Sequence, residues 1–106
     1  MVFTKRKVHS FGEQLRELRI QKELSLREVA SAIGIDTSLL GKIERDERHP
    51  TREQIKLVAN YFNFDEIRLI REHLSDQLAY KVIEADFDVD ILKFAEKKIE
   101  YLKTKK

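Results

Sequence analysis

The chain has 106 residues, enough for one domain with a real core and too few for two independent ones. Its 42% hydrophobic and 38% charged residues, with 3 glycines and 1 proline, suit a helix-rich fold and offer little punctuation for a many-stranded sheet. No cysteine is present, which excludes disulfides and thiolate zinc sites and suits a reducing cytoplasm; no apolar run is long enough to span a membrane, and no signal-peptide pattern opens the chain.

Net charge is only +2 and predicts no partner by itself. Its distribution says slightly more: residues 1–52 carry 11 Lys and Arg against 8 Asp and Glu, and the remainder 10 against 11. A weakly basic first half is compatible with nucleic acid without establishing it.

Residues 1–10 read as a basic arm around Lys5-Arg6-Lys7. Such an arm suits either a contact along a DNA backbone or minor groove, or a solvated tail. Helix starts follow in close succession. Ser10 with Glu13, Ser25 with Glu28, and Thr51 with Gln54 each fit the capping box, in which a hydroxyl accepts from an orphan backbone N–H and the third residue reaches back. Asp36 is a fourth candidate N-cap. Four starts before Gln54 imply four short helices with tight connections.

The first helix is expected from about Phe11 to Lys22, with Phe11, Leu15 and Leu18 inward. A second, about Leu26 to Ile33, buries Leu26, Val29, Ala30 and Ile33, and Gly34 stands where a left-handed residue belongs. A third runs from Thr37 to about Arg45. After Pro50, a fourth holds Ile55, Val58, Ala59 and Phe62 on one face. From Glu66, the residues Ile67, Ile70, Leu74, Leu78 and Val82 keep helical spacing in one long helix to about Ala85, unless Ser75 caps a new one. Asp86-Phe87-Asp88-Val89-Asp90 interrupts the pattern. A last helix carries Leu92, Ala95, Ile99 and Leu102, with Ile91, Phe94 and Tyr101 widening its apolar side.

The third helix raises the functional question. At about 100° per residue, Thr37, Gly41, Arg45, Ser38 and Lys42 span roughly 140° of one side, with Leu39, Leu40 and Ile43 opposite. Short polar groups and cations outside, over apolar anchors inside, suit a helix lying in the DNA major groove. With the preceding helix and turn this makes a helix-turn-helix arrangement. Periodicity alone leaves an ordinary solvated face equally open.

The segments FGEQLRELR and LSLREVASAIGIDTSLLGKIERDERHPT resemble the XRE or Cro-repressor type of helix-turn-helix domain, also called lambda-repressor-like. The likeness covers about Phe11 to Ile67. It rests on Leu15 and Arg19, on Ala30 four residues before Gly34, and on Ile43-Glu44-Arg45 with Pro50 following. The resemblance implies an all-α chain: a five-helix lambda-repressor-like domain over residues 11–67, then a helical extension over 68–106. It also implies base contacts from Thr37, Ser38 and Lys42, phosphate contacts from Arg45, Arg48 and His49, and an ion pair between Arg19 and Glu44. A partly buried Glu44 at the edge of the apolar side needs such a partner.

Three positions depart from the family pattern. Leu26 stands where a Gln often touches the DNA backbone, with Arg27 as the candidate substitute. Glu23 and Asp46 stand where glycines are usual, so left-handed backbones there would strain Glu23 more than Asp46.

Other chemistries find little support. Asp86, Asp88 and Asp90 mimic the start of a calcium loop, but the Gly and Glu it requires are replaced by Ile91 and Lys97. They read instead as linker and helix cap. His9, His49 and His73 lack metal-ligand spacing. No nucleophile elbow, phosphate loop or dinucleotide fingerprint is present, so no enzyme activity, cofactor or metal is expected.

The expected function is sequence-specific binding of double-stranded DNA by a transcriptional regulator in a prokaryotic cytoplasm, at the nucleoid when bound. A homodimer would read a (pseudo)palindromic operator through two half-sites, joined by Ile91, Leu92, Ala95, Ile99 and Leu102. The alternative for that apolar side is packing within its own domain. The alternative function is an antitoxin or other interaction module whose C-terminal region binds a partner protein. A weaker likeness points to a regulator encoded beside a DNA methyltransferase.

Overall fold

Local hydrogen bonding fixes where the first helices begin. In the computed structural model, which describes residues 8–105, six helices follow in order: α1 Phe11–Gln21, α2 Leu26–Ile33, α3 Thr37–Glu44, α4 Arg52–Phe62, α5 Glu66–Glu84 and α6 Ile91–Thr104. Among the described residues no strand forms. Lys5, Arg6 and Lys7 of the basic arm lie outside the described residues.

Complete capping boxes open α1, α2 and α4. The hydroxyls of Ser10, Ser25 and Thr51 accept from the N–H groups of Glu13, Glu28 and Gln54 at 3.0–3.1 Å. The side chains of those three residues accept in return from the cap N–H groups. Two orphan donors are satisfied at each start. Asp36 holds the N-cap position of α3 with extended backbone, but its exposed carboxylate makes no cap hydrogen bond. There the start is held by the backbone bond from Leu40 N–H to the Asp36 carbonyl, 3.0 Å, and by the burial of Leu40.

The helix ends share one device. After α1 to α5 the chain passes through a left-handed residue: Glu23 (φ 55°), Gly34 (φ 76°), Asp46 (φ 62°), Asn63 (φ 54°) and Asp86 (φ 56°). The N–H of the next residue then reaches back five positions, from Leu24 to Arg19, Ile35 to Ala30, Glu47 to Lys42, Phe64 to Ala59 and Phe87 to Val82. This is the Schellman closure, which satisfies carbonyls left open at a helix end. Only one of the five left-handed residues is glycine; Asp46, Asn63 and Asp86 tolerate this conformation better than Glu23.

The chain divides into two compact units, one through Leu74 and one from Ser75, the boundary falling within α5. The first unit's core joins Phe11 and Leu15 of α1 to Val29, Ala30 and Ile33 of α2, Leu40 and Ile43 of α3, Ile55, Val58, Ala59 and Phe62 of α4, and Leu69 of α5. Leu18 and Leu26 pack at its margin, only partly buried. One detail departs from what the sequence pattern predicts. The α5 anchor is Leu69, fully buried, while Ile67 is 55% exposed. The single long helix expected from Glu66 to about Ala85 is present, with α5 running on to Glu84 without a break at Ser75.

In the second unit, the Asp88 carboxylate accepts from Asp90 N–H at 3.1 Å. Asp90 precedes α6 without a side-chain cap bond. Ile91 and Ala95 are half-buried, and Leu92, Phe94, Ile99, Tyr101 and Leu102 lie exposed. No residue of α6 is fully buried. Among the described residues no helix is long and apolar enough to cross a membrane.

Candidate nucleic-acid interface

The eight residues of α3 separate their two sides sharply. Leu40 is 0% exposed and Ile43 2%, whereas Thr37, Ser38 and Lys42 are exposed. The helix is therefore held from beneath by apolar contacts and presents two hydroxyls and an ammonium outward. Gly41, expected on the outer side, is buried. A Cβ there would lie 3.3 Å from an Arg45 guanidinium nitrogen and 3.8 Å from a Leu26 methyl. Leu26, at the start of α2, and the Arg45 side chain thus flank Gly41, which is removed from the presented face.

Two polar attachments fix α3 to α1. Arg19 meets Glu44 in a fork, Nε donating to Oε2 at 2.7 Å and Nη2 to Oε1 at 2.9 Å, and its Nη1 donates to the Leu24 carbonyl at 3.0 Å. Both side chains are largely withdrawn from water, at 13% and 4% exposure. The Glu44 hydrogen bond raises the Arg19 pKa despite the opposing effect of burial. The second attachment is Asp46, just past the end of α3. Its carboxylate accepts from the Ser10 hydroxyl at 2.7 Å and from Gly12 N–H at 3.2 Å. A residue at the exit of α3, distant in sequence, thus caps the start of α1, where orphan N–H groups and the helix dipole favour an anion. Gly12 permits this approach, for a Cβ there would strike the Ile43 carbonyl oxygen and come within 2.6 Å of the Glu44 carbonyl oxygen and the Asp46 carboxylate. Sequence periodicity could not reveal either Asp46 bond, because the partners are more than thirty residues apart.

The cations around this face are displayed differently. Arg27, in the first turn of α2, and Arg48, in the loop after α3, are exposed. Arg45 is also exposed but forms a second fork, its Nε and Nη2 donating to the two Glu47 oxygens at 3.1 and 3.3 Å. That bonding raises the Arg45 pKa and lowers that of Glu47, the charges of Arg45 and Lys42 adding to the latter effect. His49 is exposed, but its ring packs edge-on to His73 of α5, centroids 5.6 Å apart. His73 in turn meets Phe11 at 6.0 Å, and His9 Nδ1 lies 3.5 Å from the Glu72 carboxylate. The three histidines, unrelated by spacing, thus gather along α5. Among the described residues no group of three or more His, Cys, Asp or Glu is placed to hold a metal ion.

An outward strip of hydroxyls and cations, on a helix narrow enough for a major groove and locked to its neighbours, can do two things with an extended polyanion. Its hydroxyls and ammonium can meet base-edge donors and acceptors, and its guanidinium groups can meet phosphates. The comparisons with known proteins agree with that chemistry. The family model described as Helix-turn-helix matches residues 15–69. Among solved structures, the restriction-modification controller protein C.AhdI from Aeromonas hydrophila is 36% identical over 56% of this chain and 89% of that one, with a TM-score of 0.53. The clp gene regulator ClgR from Corynebacterium glutamicum is similar at 24% identity, over 72% of this chain and 80% of that one, with a TM-score of 0.54. A chain of the SinR protein/SinI protein complex is 20% identical over 90% of this chain and 99% of that one, also at 0.54. The last two likenesses are of fold alone. No curated protein sequence matches the chain significantly.

Proposed function

Since the chain belongs to the helix-turn-helix family, we propose that this DNA-binding transcriptional regulator reads a (pseudo)palindromic operator as a homodimer, acting in the cytoplasm by binding and not by catalysis. The carrying observation is the outward side of α3, with Thr37, Ser38 and Lys42 exposed over fully buried Leu40 and Ile43. These three side chains read bases. Arg27, Arg45, Arg48 and His49 lie where backbone phosphates pass, and such contacts position the protein without specifying sequence. The Arg19–Glu44 fork and the Asp46 cap keep α3 in one orientation, as a reader needs if its contacts are to discriminate.

Dimerisation is proposed through α6. Leu92, Ile99 and Leu102 follow one another along one side of the helix with 43%, 54% and 59% exposure, with half-buried Ala95 between them on the wheel and half-buried Ile91 at their edge beside Leu102. An apolar stripe of that length left in water marks an interaction surface. A second copy would cover it and give a symmetric pair whose two reading helices lie roughly 34 Å apart, one turn of DNA, or a multiple of that. The similarity to a restriction-modification controller protein favours a regulator of such a system over an antitoxin.

Selection of bound sequences from a random duplex pool tests this directly. The expected product is a site with dyad symmetry and half-sites one helical turn, or a multiple of one, apart. Lys42→Ala should then cost about 1–3 kcal/mol on that site and relax preference at one base pair per half-site, while Arg48→Ala weakens all sequences alike and flattens the salt slope by about one unit. Exchange of those two behaviours would reverse the assigned roles. A tail that orders only when another protein is added would favour the interaction-module reading.

A further inference from the structure

Four of the five Schellman closures place an apolar residue just after the left-handed position: Leu24, Ile35, Phe64 and Phe87. That is the usual chemistry, since the residue there folds back onto the helix it ends. At the end of α3 the equivalent residue is Glu47. Its backbone N–H closes on the Lys42 carbonyl at 2.8 Å, while both its carboxylate oxygens take the Arg45 fork. The residue between the two partners, Asp46, is left-handed and pinned to Ser10 and Gly12. Arg45 and Glu47 therefore project from a fixed point, side by side, at the mouth of the reading face.

Stability does not account for the pair. Its side chains are 59% and 54% exposed, and exposed ion pairs contribute little to folding. Geometry points elsewhere. A carboxylate and a phosphate both offer two oxygens to a guanidinium fork, so they compete for the same donors. We propose that Glu47 is an intramolecular stand-in for a DNA phosphate, occupying Arg45 in the free protein and yielding it only to backbone held in register, and is thereby a specificity-setting residue of the interface. This rests on the DNA-binding reading above. On a matched site the phosphate replaces Glu47. On unmatched DNA Arg45 stays with Glu47, whose charge remains against the phosphates as a repulsive element. Lys42, whose charge also acts on Glu47, is left for the bases.

The test is a double-mutant cycle on DNA. Wild type, Glu47→Gln, Arg45→Gln and the double variant are titrated against a sequence selected by wild type and against a scrambled duplex, at several salt concentrations. Glu47→Gln should bind the scrambled duplex several-fold more tightly and the selected site with a smaller increase, so that discrimination narrows. The slope of log K against log salt on the scrambled duplex should steepen by about 0.9 for each additional phosphate neutralised. In the Arg45→Gln background, where no guanidinium is left to release, the same substitution should give a clearly smaller increase, the part due to relief of Glu47 repulsion alone, so that the cycle is non-additive. An equal increase with and without Arg45 would mean a general charge effect and overturn the proposal, as would no increase in either. Wild type that binds no duplex even at low salt would overturn the DNA-binding reading itself. Salt-sensitive wild-type binding with an additive cycle would keep that reading and remove only the role of Glu47.

Discussion

Glu44→Ala removes a carboxylate that is 4% exposed and receives two hydrogen bonds from one guanidinium. Arg19 keeps its bond to the Leu24 carbonyl and has 13% of its side chain in contact with water. Breaking one side of a buried pair costs about 3–5 kcal/mol, because the remaining charge is left without compensation. Arg19 can recover some hydration, so the lower end applies, about 3 kcal/mol. At about 4–8 °C per kcal/mol for a domain of this size, the melting temperature should fall by about 12–24 °C. Arg19→Ala should cost more, toward 5 kcal/mol, since Glu44 is the more deeply buried partner. The pair as a whole, however, stabilises less than either deletion implies, for both ions were desolvated to form it. Arg19→Met with Glu44→Leu should therefore regain most of the loss. Denaturant unfolding followed by circular dichroism at neutral pH compares the four proteins. In the wild type Arg19 is held above its ordinary pKa by Glu44 and carries its charge at that pH. Single variants that unfold with wild type, or a double variant no better than the worse single, would refute the reasoning. A stable double variant with weakened DNA binding would show that the pair orients α3.

Gly12→Ala forces a Cβ against two carbonyl oxygens and the Asp46 carboxylate, and overpacking of this kind should destabilise by about 1–3 kcal/mol, measured by the shift in the urea midpoint. Glu23 is exposed at φ 55°, so Glu23→Gly should stabilise by about 0.5 kcal/mol, the relief of left-handed strain exceeding the added entropy of the unfolded chain; a lower melting temperature would contradict this. Ile99→Asp, at a position 54% exposed on α6, should leave the melting of a dilute monomer unchanged but shift light scattering from dimer to monomer at tens of micromolar. Unchanged mass would place the interface elsewhere.

What the sequence determined was whatever is decided within a few residues. A hydroxyl and a carboxylate or amide three positions apart satisfy each other wherever the chain goes, which is why Ser10, Ser25 and Thr51 mark the starts of α1, α2 and α4. Helical periodicity likewise separated Leu40 and Ile43 from Thr37, Ser38 and Lys42. The family pattern located the Arg19 and Glu44 positions, and it marked Glu23 and Asp46 as residues standing where glycines are usual. Tertiary structure decided the rest. Leu69, and not Ile67, is the α5 anchor, because several apolar residues of α5 have helical spacing and only the packing of α1 to α4 selects among them. Gly41 lies on the outward side of the wheel and is nevertheless buried, flanked by the Arg45 side chain and Leu26 of α2. The left-handed turn at Asp46 is stabilised by Ser10 and Gly12, partners no local rule can supply. That anchoring, in turn, sets Glu47 beside Arg45. A charge that sequence counts merely as one acidic residue among 19 acquires its meaning from the guanidinium it faces, and that juxtaposition depends on a backbone angle fixed from across the fold.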